Sequence, residues 1–183
     1  MDKSIDYTHL AKFLLEIGNL KNIPRSGWLF AGIQLPESVA DHTFRTSIIG
    51  VILANLENVD MNKVVLMCLL HDLAEVRLLD LPARAKKYIK NKEELEKEIM
   101  KDLIDNLPTS IKRIFFDTFN EYQEKKSKEA IITHDADKLD MLLQAIEYSK
   151  QGYNTEEWIK DVLSSLITPT AKRIADVILR CKE

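Results

Sequence analysis

Residues that interrupt or cross-link a chain are scarce in this sequence, which has five Gly, five Pro and two Cys among 183 residues. Because glycine and proline are few and apolar residues recur mostly three and four positions apart, the pattern predicts helices joined by short loops. Cys68 lies in an apolar run and Cys181 lies near the C-terminus, so we expect neither a disulfide framework nor a zinc knuckle. The sequence therefore predicts an all-α protein whose free thiols suit a reducing, cytoplasmic setting.

The sequence also has no basic block and no long apolar run. Its 26 Lys and Arg residues are mixed with 29 Asp and Glu residues, for a net charge of −3. This mixture argues against a surface that covers a phosphate backbone, so we expect no polymeric nucleic-acid partner. No stretch approaches the roughly 20 apolar residues of a membrane span, and the first residues lack the charged-then-apolar pattern of a secretory signal. We expect a soluble protein that does not associate with membranes.

Length and composition predict one domain over residues 1–183. A chain of this length with 45% hydrophobic content buries one substantial core and does not require a second. We expect a first helix from about Tyr7 to Leu20 and a second from about Ser38 to Leu56. A third begins after an N-cap at Asp60 and continues to about Arg77. The side chains of the second helix that are expected to face the core are Phe44, Ile48, Val51, Ile52 and Leu56.

The rest of the chain also predicts helices. Asn91 and Glu94 resemble a capping box for a helix to about residue 107, and another helix begins near Thr109. A long helix is expected over about 129–150, followed by two amphipathic helices over 155–166 and 169–181. Thr168 is the expected N-cap of the last helix, since proline is favoured at the first helical position. The pattern indicates a helical bundle.

An adjacent histidine and aspartate, His71 and Asp72, lie in the otherwise apolar run from Val64 to Leu73. Burying a carboxylate costs several kcal/mol unless it is paired or coordinated, and a neighbouring imidazole is a natural co-ligand. The simplest partner for both groups is a metal ion. The alternative is a hydrogen-bonded core histidine beside an exposed acid, which a His-Asp dipeptide alone does not exclude.

Two further ligand candidates lie on other predicted helices. His42 falls near the start of the second helix, although it is also explained as a polar residue of a helix N-terminus. Asp137 falls in the first half of the long helix, where Asp135, Asp140 and His134 are rivals that spacing alone does not exclude. Three helices thus each offer a hard or borderline ligand, which predicts a site where helices converge.

The type and number of metal ions follow from the ligand candidates. Two imidazoles with two carboxylates accept Mn, Co, Fe, Ni or Zn, so we expect a divalent transition metal of undetermined identity. The chain has four histidines, and neither His9 nor His134 belongs to a further motif. We therefore expect one metal ion.

Three more residues are candidates for chemistry near such a site. Glu75 lies one helical turn beyond His71, where its carboxylate can position a water or take its proton. The alternative is a surface carboxylate paired with Arg77 or a lysine. The predicted loop before the second helix carries Arg25 and Trp28. A planar guanidinium suits a phosphate group, whereas an ordinary loop cation and a tryptophan that covers the core are the alternatives.

Several motifs resemble one family. They are Ile23-Pro24-Arg25-Ser26-Gly27-Trp28, Pro36-Glu37-Ser38-Val39-Ala40-Asp41-His42, His71-Asp72-Leu73-Ala74-Glu75 with Asp80-Leu81-Pro82, and Asp137-Lys138-Leu139-Asp140-Met141-Leu142-Leu143-Gln144-Ala145. The chain resembles the HD-domain superfamily of metal-dependent phosphohydrolases, and within it the 5′-deoxynucleotidases and the HD domain-containing protein 2 group. The likeness spans about residues 14–148, and it implies an HD-domain helical bundle on which the helices of 155–181 pack.

The resemblance implies a role for each matching residue. The positions that match the family's metal ligands are His42, His71, Asp72 and Asp137, which favours Asp137 over its neighbours. Catalysis is implied for Glu75, which matches the residue thought to act on water, and for Asp72. Substrate binding is implied for Arg25 at the phosphate, Trp28 and Asp80 near the sugar, and Lys86 facing the phosphate. Arg84 and Lys87 stand beside Lys86, so the assignment of this lysine is open.

The residues and the resemblance together lead to one expected function and two alternatives. We expect a phosphomonoesterase that removes the 5′-phosphate of nucleoside monophosphates, with deoxynucleotides as the preferred substrates, and that forms a homodimer. One alternative is a hydrolase of a phosphodiester or a signalling nucleotide. The other is a non-catalytic module that binds a nucleotide or a metal, against which the presence of Glu75 and Asp80 argues.

Overall fold

The computed structural model describes residues 7–181, in which ten α-helices form the architecture. No β-strand occurs in this range, and the one β-bridge joins Pro24 to Ser38. The all-α prediction is confirmed. The helices are α1 (Tyr7–Ile17), α2 (Val39–Glu57), α3 (Met61–Leu70), α4 (Glu75–Leu78), α5 (Ala83–Lys86), α6 (Lys92–Ile104), α7 (Thr109–Glu124), α8 (Lys128–Lys150), α9 (Glu156–Ser165) and α10 (Pro169–Arg180).

Helices α2, α3 and α8 pack together at the centre of the bundle. Two apolar clusters flank them. One contains Phe13, Val39, Met100 and Phe119, and so joins α1, α6 and α7 to the start of α2. The other joins α9 and α10 to α2 and α8, and its fully buried members include Leu53, Leu139, Val162, Ala171 and Ala175. The central helices are therefore enclosed on both sides, which allows polar side chains between them to be shielded from water.

The start of α2 is fixed to the loop that precedes it. Ser38 and Asp41 form a reciprocal capping box, in which each side chain accepts a hydrogen bond from the other residue's backbone N–H. The backbone of Arg25 donates to the Glu37 carbonyl at 2.9 Å, and that of Val39 donates to the Ile23 carbonyl at 2.9 Å. These bonds hold the Arg25 segment beside the first turn of α2, and a short 3₁₀ helix over Ser26–Ala31 follows it.

The third helix is shorter than predicted. Asp60 is its N-cap as expected, since its side chain accepts a hydrogen bond from the Lys63 N–H. However, α3 ends at Leu70, and tight turns over 71–74 lead into the separate helix α4. The prediction of one continuous helix to Arg77 is therefore wrong. The break places His71 and Asp72 at the end of a helix, where the chain bends and both side chains reach the same point.

The outward and inward faces of α2 are the reverse of those predicted. Phe44 is 71% exposed, and Ile48, Ile52 and Leu56 are all more than half exposed. The buried residues of this helix are instead Val39, His42, Thr46, Gly50, Leu53 and Ala54. The prediction failed because it followed hydrophobicity, whereas small and polar residues allow α2 to lie close against α3 and α8.

The C-terminal half follows the sequence pattern closely. Helix α8 matches the predicted long helix, and α10 begins with Pro169 after an N-cap in which the Thr168 side chain accepts from the Ala171 N–H. Asn91 precedes α6 as expected, but its side chain makes no capping hydrogen bond.

Within residues 7–181, no helix has the length and apolar character needed to cross a membrane.

Candidate metal centre and adjoining cleft

Three helices bring four of the predicted side chains to one point. The Nε2 atom of His42, on α2, lies 3.2 Å from Nε2 of His71 at the end of α3 and 3.2 Å from Oδ1 of Asp137 on α8. Oδ2 of Asp72 lies 3.2 Å from His71 Nε2 and 3.7 Å from His42 Nε2. Two imidazole nitrogens and two carboxylates thus converge on a small volume inside the bundle.

The outer nitrogen of each imidazole is held by a fixed partner. Nδ1 of His42 lies 2.5 Å from Oδ2 of Asp140, whose other oxygen accepts a hydrogen bond from Arg45. Nδ1 of His71 lies 2.7 Å from the Cys68 carbonyl oxygen, which can only accept. A proton on each Nδ1 leaves the Nε2 lone pair free, which is the arrangement that metal-binding histidines use.

Electrostatics keep the acids of this cluster ionised and favour a proton on His42. Burial and the nearby Arg25 disfavour the imidazolium, but hydrogen bonds to Asp137 and Asp140 outweigh them and raise the pKa of His42 to about 9. Burial opposes ionisation of Asp137, yet Lys138 and His42 hold the pKa of its carboxyl well below the ordinary value. In the protein without a bound ion, His42 therefore carries a proton, and a metal ion must displace this proton in order to bind.

The donor set fits one divalent transition metal. His42, His71 and Asp72 offer ligand atoms within 4.8 Å of one another, and nitrogen with carboxylate oxygen is a donor set that Mn, Fe, Co, Ni and Zn share. A second grouping, Glu37 with His42 and Asp140, lies on the other side of the His42 ring. It fits a metal less well, because Glu37 accepts from the Trp28 indole at 3.0 Å and Asp140 accepts from Arg45.

Glu75 is buried beside this cluster at the first position of α4. One of its carboxylate oxygens, Oε2, has no hydrogen-bond partner within residues 7–181. Burial, with the charges of Asp72 and Asp80, raises the pKa of Glu75 to about 10. The alternative of a surface carboxylate paired with Arg77 or a lysine is wrong, because Glu75 is only 3% exposed and Arg77 instead binds Glu16. An unpartnered buried oxygen of this kind requires a ligand or a water.

Two cations flank the carboxylates. Nη1 of Arg25 lies 3.1 Å from Oδ2 of Asp72, and its Nη2 lies 3.9 Å from Oδ1 of Asp137. On the other side, Nζ of Lys138 lies 2.9 Å from Oδ2 of Asp137. Arg25 is therefore not an ordinary loop cation, since it reaches the cluster directly.

A cleft of about 190 Å³ adjoins the cluster through Arg25 and Lys138, which line it and also contact the carboxylates of Asp72 and Asp137. Of the predicted substrate residues, it is lined by Arg25, Trp28, Asp80 and Lys86. Lys87 is not among the residues that line it, and its Nζ instead lies 4.9 Å from the Tyr88 ring centre. Arg84 does line the cleft, where it packs over the Phe30 ring at 4.8 Å.

Asp80 and Trp28 both contribute to the shape of this cleft. Asp80 accepts hydrogen bonds from the Ser26 backbone at 2.5 Å and from the Ser26 hydroxyl at 3.0 Å, which ties the turn after α4 to the 3₁₀ helix. Trp28 is only 3% exposed and packs edge-on against Tyr148. Both residues lie in the cleft wall while also holding the 3₁₀ helix in place.

Sequence reasoning missed three residues that the structure brings to the site. Asp140 was considered only as a rival ligand, whereas it contacts the outer nitrogen of His42. Its position three residues after Asp137, on the same helix face, was the available signal. Lys138 and Trp158 also line the cleft. Lys138 lies in the motif that begins at Asp137, although no role was predicted for it, and Trp158 belongs to no motif. His9 and His134 lie elsewhere: His9 lines a separate groove, and His134 lies beside Asp135.

This fold and site define a class of proteins in which helices converge on a buried His/Asp metal centre. Comparisons place the chain within that class. The HD domain family model matches residues 17–177, and the chain belongs to the HD domain family.

Individual relatives extend the likeness over most of the chain. It is 35% identical to 5′-deoxynucleotidase HDDC2 of Dictyostelium discoideum over 81% of this chain and 82% of that protein. It is 32% identical to 5′-deoxynucleotidase HDDC2 of Homo sapiens, over 76% of this chain and 68% of that protein. A conserved hypothetical protein of Pyrococcus furiosus has a similar structure, with a TM-score of 0.81 and 34% identity over 93% of this chain and 99% of that one.

Proposed function

We propose that this protein is a metal-dependent phosphohydrolase that removes the 5′-phosphate of nucleoside monophosphates, with deoxynucleotides as the preferred substrates. The observation that carries the proposal is that Arg25 and Lys138 both contact carboxylates of the His/Asp cluster and both line the adjoining cleft. A dianionic phosphate suits a site with this charge distribution. The likeness to relatives named 5′-deoxynucleotidase supports the choice of substrate.

In this proposal one divalent transition metal is held by His42, His71, Asp72 and Asp137. When bound, such an ion supplies Lewis acidity and lowers the pKa of water toward neutrality. Asp140 and the Cys68 carbonyl keep both imidazoles in the tautomer that ligation needs. The residues of the chain thus fix the donor atoms, while Asp72 also accepts a hydrogen bond from Arg25.

Glu75 is the proposed group that orients water and accepts its proton. Its free Oε2 lies in a buried position beside Asp72 and Asp80, and no described hydrogen bond holds that atom elsewhere. A nearby divalent cation favours the carboxylate over the neutral acid, which opposes the effect of burial. Glu75 is therefore available as a base in the metal-loaded protein and is protonated without the ion.

The cleft residues bind the substrate in this proposal. Arg25 donates hydrogen bonds to the phosphate, and Lys86 adds positive charge to the same region. The charge of Lys86 also opposes the rise in the pKa of Glu75. Asp80 accepts from the sugar, and the Trp28 ring forms part of the sugar wall. As the ester bond breaks, the two cations stabilise the charge that develops on the phosphate oxygens.

The proposed activity is tested by measuring phosphate release from 5′-deoxynucleoside, 5′-ribonucleoside and 3′-nucleoside monophosphates with Mn²⁺ or Co²⁺. Release from 5′-deoxynucleotides that stops in Asp72→Ala is expected. Asp105→Ala serves as the control, because Asp105 is an exposed carboxylate paired with Lys112. A second panel of cyclic nucleotides and nucleotide diesters is followed by loss of the substrate, and hydrolysis of this panel alone would favour the alternative of a phosphodiester or signalling nucleotide. Metal binding with no turnover of either panel would favour a non-catalytic module.

The division of labour between Glu75 and Asp72 has its own test. Glu75→Ala is expected to lower turnover while metal binding persists, because Glu75 acts on water and holds no ion. Asp72→Ala is expected to lose both. The measurement is the metal content of each purified variant beside its rate of phosphate release. Equal loss of metal in both variants would contradict these roles.

We also propose that the protein is a homodimer formed through α2. Phe44, Ile48, Ile52 and Leu56 recur every four residues, so they form one apolar stripe about 18 Å long on the solvent side. Such a stripe can pair with itself across a two-fold axis, which is how most homodimers form. Sedimentation of the wild-type protein should give a dimer, and Ile48→Asp should give a monomer. A monomeric wild-type protein would contradict this proposal.

The remaining parts of the proposal concern domain and compartment. We propose that residues 1–183 form one HD domain, because α9 and α10 share the apolar cluster of α2 and α8. Limited proteolysis should then release no stable fragment that lacks the two C-terminal helices.

We propose a cytoplasmic setting because Cys68 and Cys181 are both free thiols. Cell fractionation tests the compartment.

A further inference from the structure

The cleft has two chemically different ends. One end is charged, with Arg25, Lys138 and Lys86 near the carboxylates of the cluster. The other end is formed by α9 and the 3₁₀ helix, which contribute Trp158 and Phe30 together with the acidic side chains of Glu157 and Asp161. Arg84 pairs with Glu157 at 3.4 Å and packs over the Phe30 ring, so a cation covers Phe30. A ligand that fills this cleft therefore needs an anionic group for Arg25 and a flat ring for Trp158.

Two tryptophans lie at the second end, and they differ in what holds them. The indole N–H of Trp28 donates to Glu37 at 3.0 Å, and its ring is buried against Tyr148. Trp158 lies with its ring centre 5.7 Å from that of Trp28 and tilted by 31°, and it is only partly buried. Trp28 is thus a fixed support, and Trp158 is the aromatic ring that rests on it beside the open cleft.

The backbone of the 3₁₀ helix also lies next to Trp158. A Cβ atom on Gly27 would lie 3.9 Å from the Trp158 indole nitrogen, so the 3₁₀ helix passes close to the edge of this ring. Trp158 also borders a second groove, together with Phe30 and Glu157. The ring is therefore supported by Trp28 and by the 3₁₀ helix while it borders open space, which is the arrangement of a stacking platform.

We propose that Trp158 is the platform on which the nucleobase of the substrate stacks, so that α9 supplies the base subsite of this cleft. The inference rests on the proposed function, since it takes the ligand to be a nucleoside monophosphate whose phosphate lies at Arg25. Every nucleobase offers a flat face to an aromatic ring, so stacking on Trp158 binds purines and pyrimidines alike. Trp158 would then set affinity for the nucleotide rather than the rate of the chemical step.

The first test compares KM and kcat for a deoxynucleotide and for 2-deoxyribose 5-phosphate, which has no base. Trp158→Ala is expected to raise KM for dAMP and dCMP by about tenfold, because a lost base-aromatic stack has an effect of this order. Its kcat, and both constants for 2-deoxyribose 5-phosphate, should stay close to wild type. Trp158→Phe should lie nearer to wild type, since it keeps a flat ring. Tyr7→Ala, an exposed aromatic on α1, is the control.

Two outcomes of this test would overturn the inference. One is an unchanged KM for nucleotides in Trp158→Ala. The other is an equal rise in KM for 2-deoxyribose 5-phosphate, which would show that Trp158 only supports the cleft.

A second measurement separates this inference from the proposed activity and does not depend on turnover or on Trp158→Ala being folded. Stacking of dAMP should quench the tryptophan fluorescence of the wild-type protein, and Trp158→Phe should lose most of that quenching. Quenching without any phosphate release would uphold the base subsite while refuting the proposed hydrolysis. Phosphate release from dAMP with quenching unchanged in Trp158→Phe would refute the base subsite alone.

Discussion

Helix α2 has two faces of opposite chemistry. The face toward α3 and α8 carries His42, Thr46 and Gly50, all of them buried. The face toward solvent carries Phe44 and Ile48, together with Ile52 and Leu56 one and two turns further along. The inward face is thus polar or small, and the outward face is apolar.

The difference shows that two separate requirements shape this helix. The inward face must let α2 approach its neighbours closely and must present an imidazole to the residues of α3 and α8. Its hydrophobic burial comes mainly from Val39, Leu53 and Ala54 at the two ends of the helix. Among residues 7–181, the apolar side chains of the outward face stay more than half exposed, although Leu56 also borders a groove beside α10, so they are available for a partner.

Substitution of His42 should have the largest effect. His42→Ala removes a proposed metal ligand and the partner of Asp140, so phosphate release should fall by about 1000-fold or more as Lewis-acid assistance is lost. Metal content measured on the purified protein should fall in parallel. Phe44→Ala, two residues away on the outward face, should retain full metal content and activity. Equal losses in the two variants would remove the functional contrast between the faces.

Substitution of Asp140 should have a smaller effect on metal binding, because Asp140 acts through its contact with His42. Asp140→Asn removes the charge that contacts Nδ1 of His42, and partners of this type typically change metal affinity by about 10–100-fold. Competition with a chelator measures that affinity directly. Asp117→Asn, an exposed acid on α7, should bind the metal as the wild type does. An unchanged affinity in Asp140→Asn would show that the imidazole is oriented by packing alone.

The affinity of the site on the inward face for a metal ion should also depend on pH. The raised pKa of His42, about 9, means that the ion must displace a proton at lower pH. The carboxyl of Asp137 has a lowered pKa and takes no part in this range. Glu75, with a pKa of about 10 in the absence of the ion, releases a second proton if the bound ion makes it a carboxylate. Apparent affinity should therefore rise about ten- to hundredfold per pH unit as pH increases toward 9. Titration calorimetry in buffers of different ionisation enthalpy measures the released proton, and no release at pH 7 would contradict this account.

Close packing on the inward face predicts an effect on stability. A Cβ atom at Gly50 would lie 2.7 Å from the Cys68 sulfur and 3.1 Å from Cγ1 of Val64. Gly50→Ala should therefore lower the free energy of unfolding by about 1 kcal/mol, since overpacking exceeds the gain in helix propensity. Chemical denaturation provides the measurement, and Gly18→Ala, whose Cβ meets nothing within 4 Å, is the control. A smaller loss when Cys68→Ala is combined with Gly50→Ala would identify the sulfur as the obstacle.

The parts of this molecule that sequence could predict are those fixed by local chemistry. Helix α8, the Thr168 cap and the Asp60 cap follow from residues close together in the chain. The faces of α2 could not be assigned in this way, because hydrophobicity does not reveal that a neighbouring helix needs room. The break in the helix after Leu70 could not be predicted for the same reason, because it depends on the contacts that His71 and Asp72 make with residues distant in the sequence. Lys138 and Trp158 were missed because their relevance comes only from the cleft that distant segments form.

The outward face should show the smallest effect on the stability of a single chain and a distinct effect on assembly. Ile48 is about half exposed, so Ile48→Gln should change the free energy of unfolding of the monomer by less than about 0.5 kcal/mol. If the stripe joins two copies, the wild-type melting temperature should rise with protein concentration, because association stabilises the folded state. This dependence should disappear in Ile48→Gln, while metal content stays unchanged. A wild-type melting temperature that is independent of concentration would show that the apolar face of α2 does not join two copies, and the contrast between its faces would then concern the metal site alone.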